Sequence, residues 1–166
     1  IDPNRVVEII DHRKINESEK FPNASIQIEF VGSAATLVAE KFYTSRTGIS
    51  KQSAAFLASA IVSNTINFKA KVTTQRDRKM FIWLLKFVKL PRNYIHDMFV
   101  QKSRFKESLR RVMLHDLAIF KFGNYSSCIF QLEIVNAEKT VSKEMKNILS
   151  IIKGTKKRHN IDLIFL

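Results

Sequence analysis

The feature of this 166-residue sequence that most constrains its fold is an apolar run ending in a polar cluster. Residues 6–10 (VVEII) predict a buried strand, and Asp11, His12 and Arg13 follow it directly. In α/β proteins, chemistry is placed at the carboxyl ends of buried parallel strands. Histidine is a good metal ligand, and an adjacent acid can fix its tautomer. The run therefore predicts an α/β sheet with a candidate site at its edge, although so short a tripeptide also occurs in ordinary loops.

Apolar periodicity and capping residues predict the remaining elements. The predicted helices are residues 34–44, 51–64, 75–86, 93–100, 103–114 and 139–153. The predicted strands are 5–10, 25–31, 117–122, 128–135 and the last six residues, with Gly123-Asn124 as a turn. The Ala-rich helix 51–64 is apolar on most sides and Cys128 lies in an apolar run, so we expect both to be buried. The order predicts an α/β fold: a parallel-sheet portion, a boundary near residues 88–103, and a smaller α+β portion.

Composition restricts the partners and the compartment. The chain carries 28 Lys and Arg against 15 Asp and Glu, a formal charge of +13, which favours phosphorylated small molecules, nucleic acid or anionic lipid. Because the basic residues are dispersed, solvated surfaces explain each basic group equally well. A single cysteine excludes an internal disulfide and fits a reducing cytoplasm. No run approaches about 20 apolar residues, so no membrane span is predicted.

Both ends of the sequence indicate a piece of a longer protein. Residue 1 is Ile rather than Met, and residues 161–166 form a largely apolar run without a cap or a tail. We therefore expect the chain to be incomplete at both ends, although N-terminal processing or trimming explains the same features.

Four short motifs then occur in a characteristic order. They are the Asp11-His12-Arg13 tripeptide, V-G-S-A-A-T at 31–36, S-N-T at 63–65 and F-K at 68–69. In order and spacing they resemble the DHH phosphoesterases, and most closely the manganese-dependent family II inorganic pyrophosphatases and the related exopolyphosphatases. Residues 116–166 resemble the start of the C-terminal DHHA2 domain of that family. The resemblance implies part of a DHH domain at residues 1–90, a linker or helix at 91–102 and a DHHA2-like domain from 103 to 166.

The resemblance also implies roles for individual residues. In that family two Mn²⁺ or Mg²⁺ ions clamp a phosphate and activate a water, between two domains that close over the substrate. His12 matches a metal ligand, and Asp11 matches the acid beside it. Arg13 replaces the family's second histidine; arginine binds phosphate but is a poor general acid. Asn64 replaces a metal-binding aspartate, so its site loses one negative charge.

Further phosphate contacts are implied at three positions. A helix is predicted directly after Gly32, and its N-terminal amides, with Ser33 and Thr36, are candidates for binding a phosphate. Gly32 equally well simply ends a strand. Lys69, just after the Asn64 motif, is a candidate phosphate contact by position. Lys106 lies roughly where the second domain of the family offers a lysine to substrate.

Three functions remain open at this point. The first is a metal-dependent hydrolase of pyrophosphate, short polyphosphate or a small phosphoester. The second is a degenerate relative that binds phosphate compounds without hydrolysis, which Arg13 and Asn64 suggest. The third is nucleic-acid binding or nuclease activity, which the positive charge suggests. It ranks last because the sequence lacks a clear aromatic-basic stacking motif. Four aromatic residues fall at helical spacings that predict core packing rather than base stacking: Phe81, Trp83, Phe87 and Phe99.

Overall fold

Two parallel strands open the N-terminal part of the protein. The computed structural model describes residues 1–14, 16–104 and 107–166, which divide into the units Ile1–Ile95 and His96–Leu166. Strand β1 (Glu8–Asp11) pairs in parallel with β2 (Ser25–Ile28), with Asp11 opposite Ile28. The parallel pairing and the surrounding helices confirm the predicted α/β class.

The prediction of a buried strand at residues 5–10 is wrong in two respects. Residues Pro3–Arg5 form a short 3₁₀ turn, because Asp2 accepts a hydrogen bond from the Asn4 N–H at 3.0 Å, so β1 begins only at Glu8. Val7 is 77% exposed and no residue of β1 is fully buried. A parallel strand is buried when both faces are covered, and the described part of unit 1 does not cover both faces of this pair.

Three helices form the core of the first unit. They are α1 (Ala34–Ser45), α2 (Lys51–Asn64) and α3 (Gln75–Leu84), and Ser33, Ser50 and Thr74 cap their N-termini as predicted. Small residues allow close approach of the helices, and the fully buried set is Ala39, Ala54, Ala58, Ile61, Met80 and Leu84. The expectation that α2 is buried holds for one side of the helix only, because Phe56 on its outer side is 76% exposed.

The second unit is a three-stranded sheet with a long amphipathic helix. Helix α4 (Tyr94–Lys102) runs across the boundary between the units and is followed by α5 (Leu109–His115). Strands β3 (Ala118–Phe122) and β4 (Tyr125–Ile129) form a hairpin, with Gly123 at φ 58° in the predicted turn. Helix α6 (Ala137–His159) leads to β5 (Leu163–Phe165), which pairs in parallel with β4.

Several boundaries in this unit differ from the prediction, including those of α6, which was predicted at 139–153. The helix predicted at 103–114 begins only at Leu109, because Ser108 caps it by accepting from the Arg111 N–H. The strand predicted at 128–135 is β4, which begins three residues earlier and already ends at Ile129, because the hairpin turn sets its register. Cys128 is fully buried, as predicted, in a core with Phe130, Met113 and three isoleucines. Among the described residues, no helix has the length and apolarity that a membrane crossing requires.

Candidate metal and phosphate site

His12 stands directly after the carboxyl end of β1 with its ring orientation fixed. Its Nδ1 lies 2.9 Å from the backbone carbonyl oxygen of Val31, and the side chain is half-buried. A carbonyl oxygen only accepts hydrogen bonds, so Nδ1 carries a proton, and in the neutral ring Nε2 is the nitrogen with the free lone pair. This is the tautomer that a metal-ligating histidine needs, and a backbone carbonyl is a common partner for the other ring nitrogen.

Asp11 shapes the turn that carries His12 and does not fix the tautomer of its ring. Its Oδ1 accepts hydrogen bonds from the backbone N–H of His12 at 2.7 Å and of Arg13 at 3.3 Å. The guanidinium of Arg13 lies 3.6 Å from the same oxygen and is 77% exposed. Asp11 therefore acts on the backbone, while most of the donors of Arg13 face solvent and are accessible to an anion.

The backbone of Gly32 is hydrogen-bonded to a carboxylate from helix α3, 45 residues later in the chain. Its N–H donates to both oxygens of Asp77, at 3.1 and 2.9 Å. A Cβ at this position would lie 2.6 Å from Cγ2 of Thr65 and 2.9 Å from Oδ2 of Asp77. Glycine is therefore required here because two other chain segments approach its backbone closely, and not because a strand ends.

Asp77 is the centre of this packing. It is fully buried and also accepts hydrogen bonds from the Thr36 hydroxyl at 2.6 Å and from the N–H and hydroxyl of Thr74, each at 2.7 Å. Burial alone would raise the pKa of Asp77, but the hydrogen bonds from Thr36, Thr74 and Gly32 outweigh it and hold that pKa below its ordinary value. The Thr36 hydroxyl is thus committed to Asp77 and is turned inward.

Ser33 and Asn64 are brought together across the same segment. The Ser33 hydroxyl is buried, caps α1 through the Ala35 N–H at 3.3 Å, and accepts a hydrogen bond from Nδ2 of Asn64 at 3.2 Å. Within the described residues Oδ1 of Asn64 accepts no hydrogen bond, and the side chain is exposed. Since His12 bonds to Val31 and Asn64 to Ser33, both predicted metal ligands are attached to one three-residue segment.

A left-handed turn follows Asn64. Ile66, Asn67 and Phe68 have φ values of 49°, 51° and 62° in succession. For residues other than glycine each such conformation costs of the order of 1–2 kcal/mol, so the turn must be held by its surroundings. The Thr65 hydroxyl donates to the Ile61 carbonyl at 2.7 Å and accepts from the Phe68 N–H at 3.1 Å.

Arg78 holds the far side of the turn. Its guanidinium donates to the Phe68 carbonyl at 3.1 Å and lies 5.0 Å from the centre of the Phe68 ring, which also packs edge-on against Phe81. Lys69 directly follows Phe68, the last left-handed residue of the turn, and its side chain is exposed. The other predicted lysine, Lys106, lies outside the described residues.

The donors present suit a divalent cation but do not complete its coordination. Imidazole nitrogen from His12 and amide oxygen from Asn64 are ligand types that Mn²⁺ accepts. Across the described ranges, however, no three His, Cys, Asp or Glu side chains are grouped closely enough to hold a metal ion. The described residues therefore offer two ligands, whereas such ions take about six.

Sequence reasoning missed the residues that build this site from behind. Thr65, Asp77 and Arg78 each fix a segment that carries a predicted site residue, yet none was predicted to do so. The Thr74-x-x-Asp77 spacing is typical of a capping box, which the structure confirms, but it does not indicate that the same carboxylate binds Gly32.

The first unit is thus an α/β unit in which His12 follows a parallel strand and is tied to the short segment that also holds Asn64. Comparison with known proteins shows what the chain is similar to. The chain is 26% identical over 163 residues, 97% of its length, to the manganese-dependent inorganic pyrophosphatase of Methanothrix thermoacetophila. It is 25% identical over 169 residues to a Thermotoga maritima protein named a probable manganese-dependent inorganic pyrophosphatase.

The structural comparison agrees with the sequence comparison. The crystal structure of a family II inorganic pyrophosphatase from Methanococcus jannaschii superposes on 98% of the chain with a TM-score of 0.76 and 25% identity. The resemblance to the family II pyrophosphatases is therefore confirmed. The chain spans 52% of the Methanothrix protein, 31% of the Thermotoga protein and 56% of the M. jannaschii chain. No protein-family model matches the chain.

Proposed function

We propose that the protein is a metal-dependent phosphohydrolase that acts on pyrophosphate, short polyphosphate or a small phosphoester. The names of its relatives, its charge of +13 and the cations beside His12 support this function. Residues 1–90 would then be the DHH portion, 91–102 a linker, and 103–166 the DHHA2-like portion. The single buried cysteine suits a reducing compartment, so we place the protein in the cytoplasm.

The contact between His12 Nδ1 and the Val31 carbonyl oxygen is the observation that carries the proposal. The Val31 carbonyl holds the proton on Nδ1, so Nε2 is presented as a lone pair at the edge of the sheet. His12 and Asn64 would hold Mn²⁺, or Mg²⁺, and a second ion in a two-metal arrangement would need further ligands. A cation bound there would polarise a phosphoryl oxygen and lower the pKa of a coordinated water.

The remaining residues would bind and orient the substrate. Arg13 presents an exposed guanidinium anchored by Asp11, and it would contact a phosphate through two donors. Arginine is a poor general acid, so the role of Arg13 would be binding rather than proton transfer. Lys69 would add a second positive charge, with Lys106 as a further one. The Ser33 hydroxyl would orient Asn64 by accepting a hydrogen bond from its Nδ2. The backbone N–H groups that begin at Ser33, at the start of α1, would contact the phosphate.

A second function, phosphate binding without hydrolysis, is favoured by one observation. Asn64 stands where the family has an aspartate, and its Nδ2 donates to Ser33, so the residue supplies one neutral oxygen. Loss of a carboxylate lowers metal affinity, and Arg13 supplies no acid for the leaving group. Nucleic acid is the alternative partner of such a site, and its test is the salt dependence of oligonucleotide binding.

Phosphate release separates the two functions. The protein is incubated with pyrophosphate or tripolyphosphate and Mn²⁺ or Mg²⁺, beside His12→Ala and the matched control His115→Ala, whose side chain is 83% exposed in the second unit. We expect turnover that His12→Ala lowers at least 100-fold and His115→Ala leaves unchanged. Binding without turnover supports the second function, and the double variant Arg13→His with Asn64→Asp should then create activity. If the protein neither binds nor hydrolyses these compounds, both functions are refuted.

A further inference from the structure

A surface of aromatic rings lies where the C-terminal ends of α1 and α3 meet. Tyr43 and Trp83 pack edge to face with ring centres 5.6 Å apart, and Trp83 packs in the same way on Phe87 at 5.0 Å. Tyr43 is 42% and Phe87 37% exposed, while one side of Trp83 contacts the core. The expected core packing of Trp83 is thus confirmed in part only. We call Tyr43, Trp83 and Phe87 the aromatic ridge.

Positive charge surrounds the aromatic ridge. Tyr43 and Trp83 line two adjoining hollows of about 470 and 600 Å³, which also contain four cations and, among their described lining residues, no Asp or Glu: Arg46, Arg78, Lys79 and Lys86. The Lys79 ammonium lies 4.9 Å from the centre of the Tyr43 ring.

Among the described residues, three of these cations form no ion pair, while Arg78 is held at the Phe68 turn. Arg76, one turn earlier on α3 than Lys79, is held between Glu29 and Glu40. Lys79 and Lys86, in contrast, have no acidic partner in the described part of the chain, and nor does Arg46. The surface therefore keeps its positive potential and is complementary to a polyanion.

The aromatic ridge lies away from the candidate metal and phosphate site. Thr36 and Asp77 join the N-terminal ends of α1 and α3, and Tyr43 and Trp83 join their C-terminal ends, so the two helices run side by side in the same direction. Helix α1 has 12 residues, which corresponds to about 18 Å. The ridge is therefore a separate surface of the first unit.

We propose that the aromatic ridge, with Arg46, Lys79 and Lys86, binds single-stranded nucleic acid, independently of phosphate hydrolysis. Exposed rings stack on bases, and neighbouring Lys and Arg side chains contact the phosphates of the same strand; together they recognise single strands of any sequence. An acidic peptide offers the charge without the repeating planar groups. A lipid surface would favour a broad apolar face. In the hollow lined by Arg78 and Lys79, the aliphatic residue described beside the ridge is Ile82, which is 62% exposed.

The only tryptophan of the sequence, Trp83, reports on binding directly. The protein is titrated with a 12-nucleotide oligo(dT) while its fluorescence and the anisotropy of a 5′ label are recorded. We expect quenching of Trp83 and a slope of log affinity against log salt of about −2, since each of three phosphates contributes about 0.7. The variant Lys79→Glu/Lys86→Glu should bind at least tenfold more weakly, and Tyr43→Leu about tenfold more weakly through loss of one stacked base.

The matched control places the same charge change elsewhere. Lys143 and Lys146 are exposed on α6 of the second unit, and Lys143→Glu/Lys146→Glu should weaken binding by less than threefold. Equal losses in the two double variants would show that only net charge matters and would overturn the proposal. So would unchanged Trp83 fluorescence, equal affinity for a polyphosphate of the same charge, or preferential binding to vesicles containing phosphatidylserine. Melting curves of each variant confirm that it is folded.

Discussion

Replacement of Gly32 by alanine tests the closest packing in the candidate site. The added methyl group would lie 2.6 Å from Cγ2 of Thr65 and 2.9 Å from Oδ2 of Asp77. Thr65 cannot turn its methyl away, because its hydroxyl is bonded to both Ile61 and Phe68. Asp77 cannot withdraw without stretching its hydrogen bonds from several donors.

The expected destabilisation follows from these two contacts. Overpacking a rigid interior typically costs about 1–3 kcal/mol. Displacement of Asp77 from the Gly32 N–H weakens a hydrogen bond to a charged group, which contributes about 1.5–3 kcal/mol. We therefore expect Gly32→Ala to lower the free energy of unfolding of the first unit by about 3–5 kcal/mol, a large part of the stability of an ordinary domain.

Urea unfolding followed by Trp83 fluorescence measures this effect, because the only tryptophan lies in the first unit. Gly48→Ala is the matched control: a Cβ at Gly48 would meet no atom within 4 Å, so we expect a change below about 1 kcal/mol. In the double variant Gly32→Ala/Thr65→Ser the Thr65 methyl is removed, and about 1 kcal/mol or more should be recovered. Equal stability of Gly32→Ala and Gly48→Ala, or no recovery with Thr65→Ser, would refute the reasoning.

Three further predictions concern charged and reactive groups. Because the folded pKa of Asp77 lies below its ordinary value, its stabilising effect is present above that value and lost as the pH falls through the folded pKa. Asp77→Asn should therefore be less stable than the unchanged protein at pH 7, and its stability should fall less as the pH is lowered. Equal urea midpoints of the two proteins from pH 7 to pH 3 would contradict this. Burial raises the pKa of the Cys128 thiol, so a thiol reagent should modify native protein at least about 100-fold more slowly than protein in urea. Arg76→Met breaks partly exposed ion pairs with Glu29 and Glu40 and should lower the unfolding free energy by only about 1 kcal/mol; a loss above about 3 kcal/mol would show that solvent does not screen them.

Helices whose ends are signalled locally were predicted most accurately. Helix α2 has the predicted bounds 51–64, because Ser50 caps it and Thr65 bonds back onto its last turn. The capping box of Thr74 and Asp77 begins α3 at the predicted residue. Each of these signals involves residues within four positions of one another, so the sequence pattern is sufficient to recognise them.

Burial and strand length were predicted less well, because they depend on what covers an element. Residues 5–10 and helix α2 both have the apolar composition of buried elements, yet Val7 and Phe56 are exposed. Periodicity shows which side of a segment is apolar and does not show whether a neighbour packs on it. The same periodicity predicted that Trp83 packs in the core. It did not predict the contact with the exposed ring of Tyr43 on the other side of Trp83.

For the candidate site, the amino-acid sequence alone determined the chemical groups: an imidazole after a strand, an amide in place of a carboxylate, and an excess of cations. Their arrangement was decided by tertiary structure. The proton of His12 is placed by Val31, 19 residues away, and Gly32 is held by Asp77, 45 residues away. The physical reason is that a cap or a turn is formed by neighbours in the chain, whereas these hydrogen bonds exist only when separate segments have packed together.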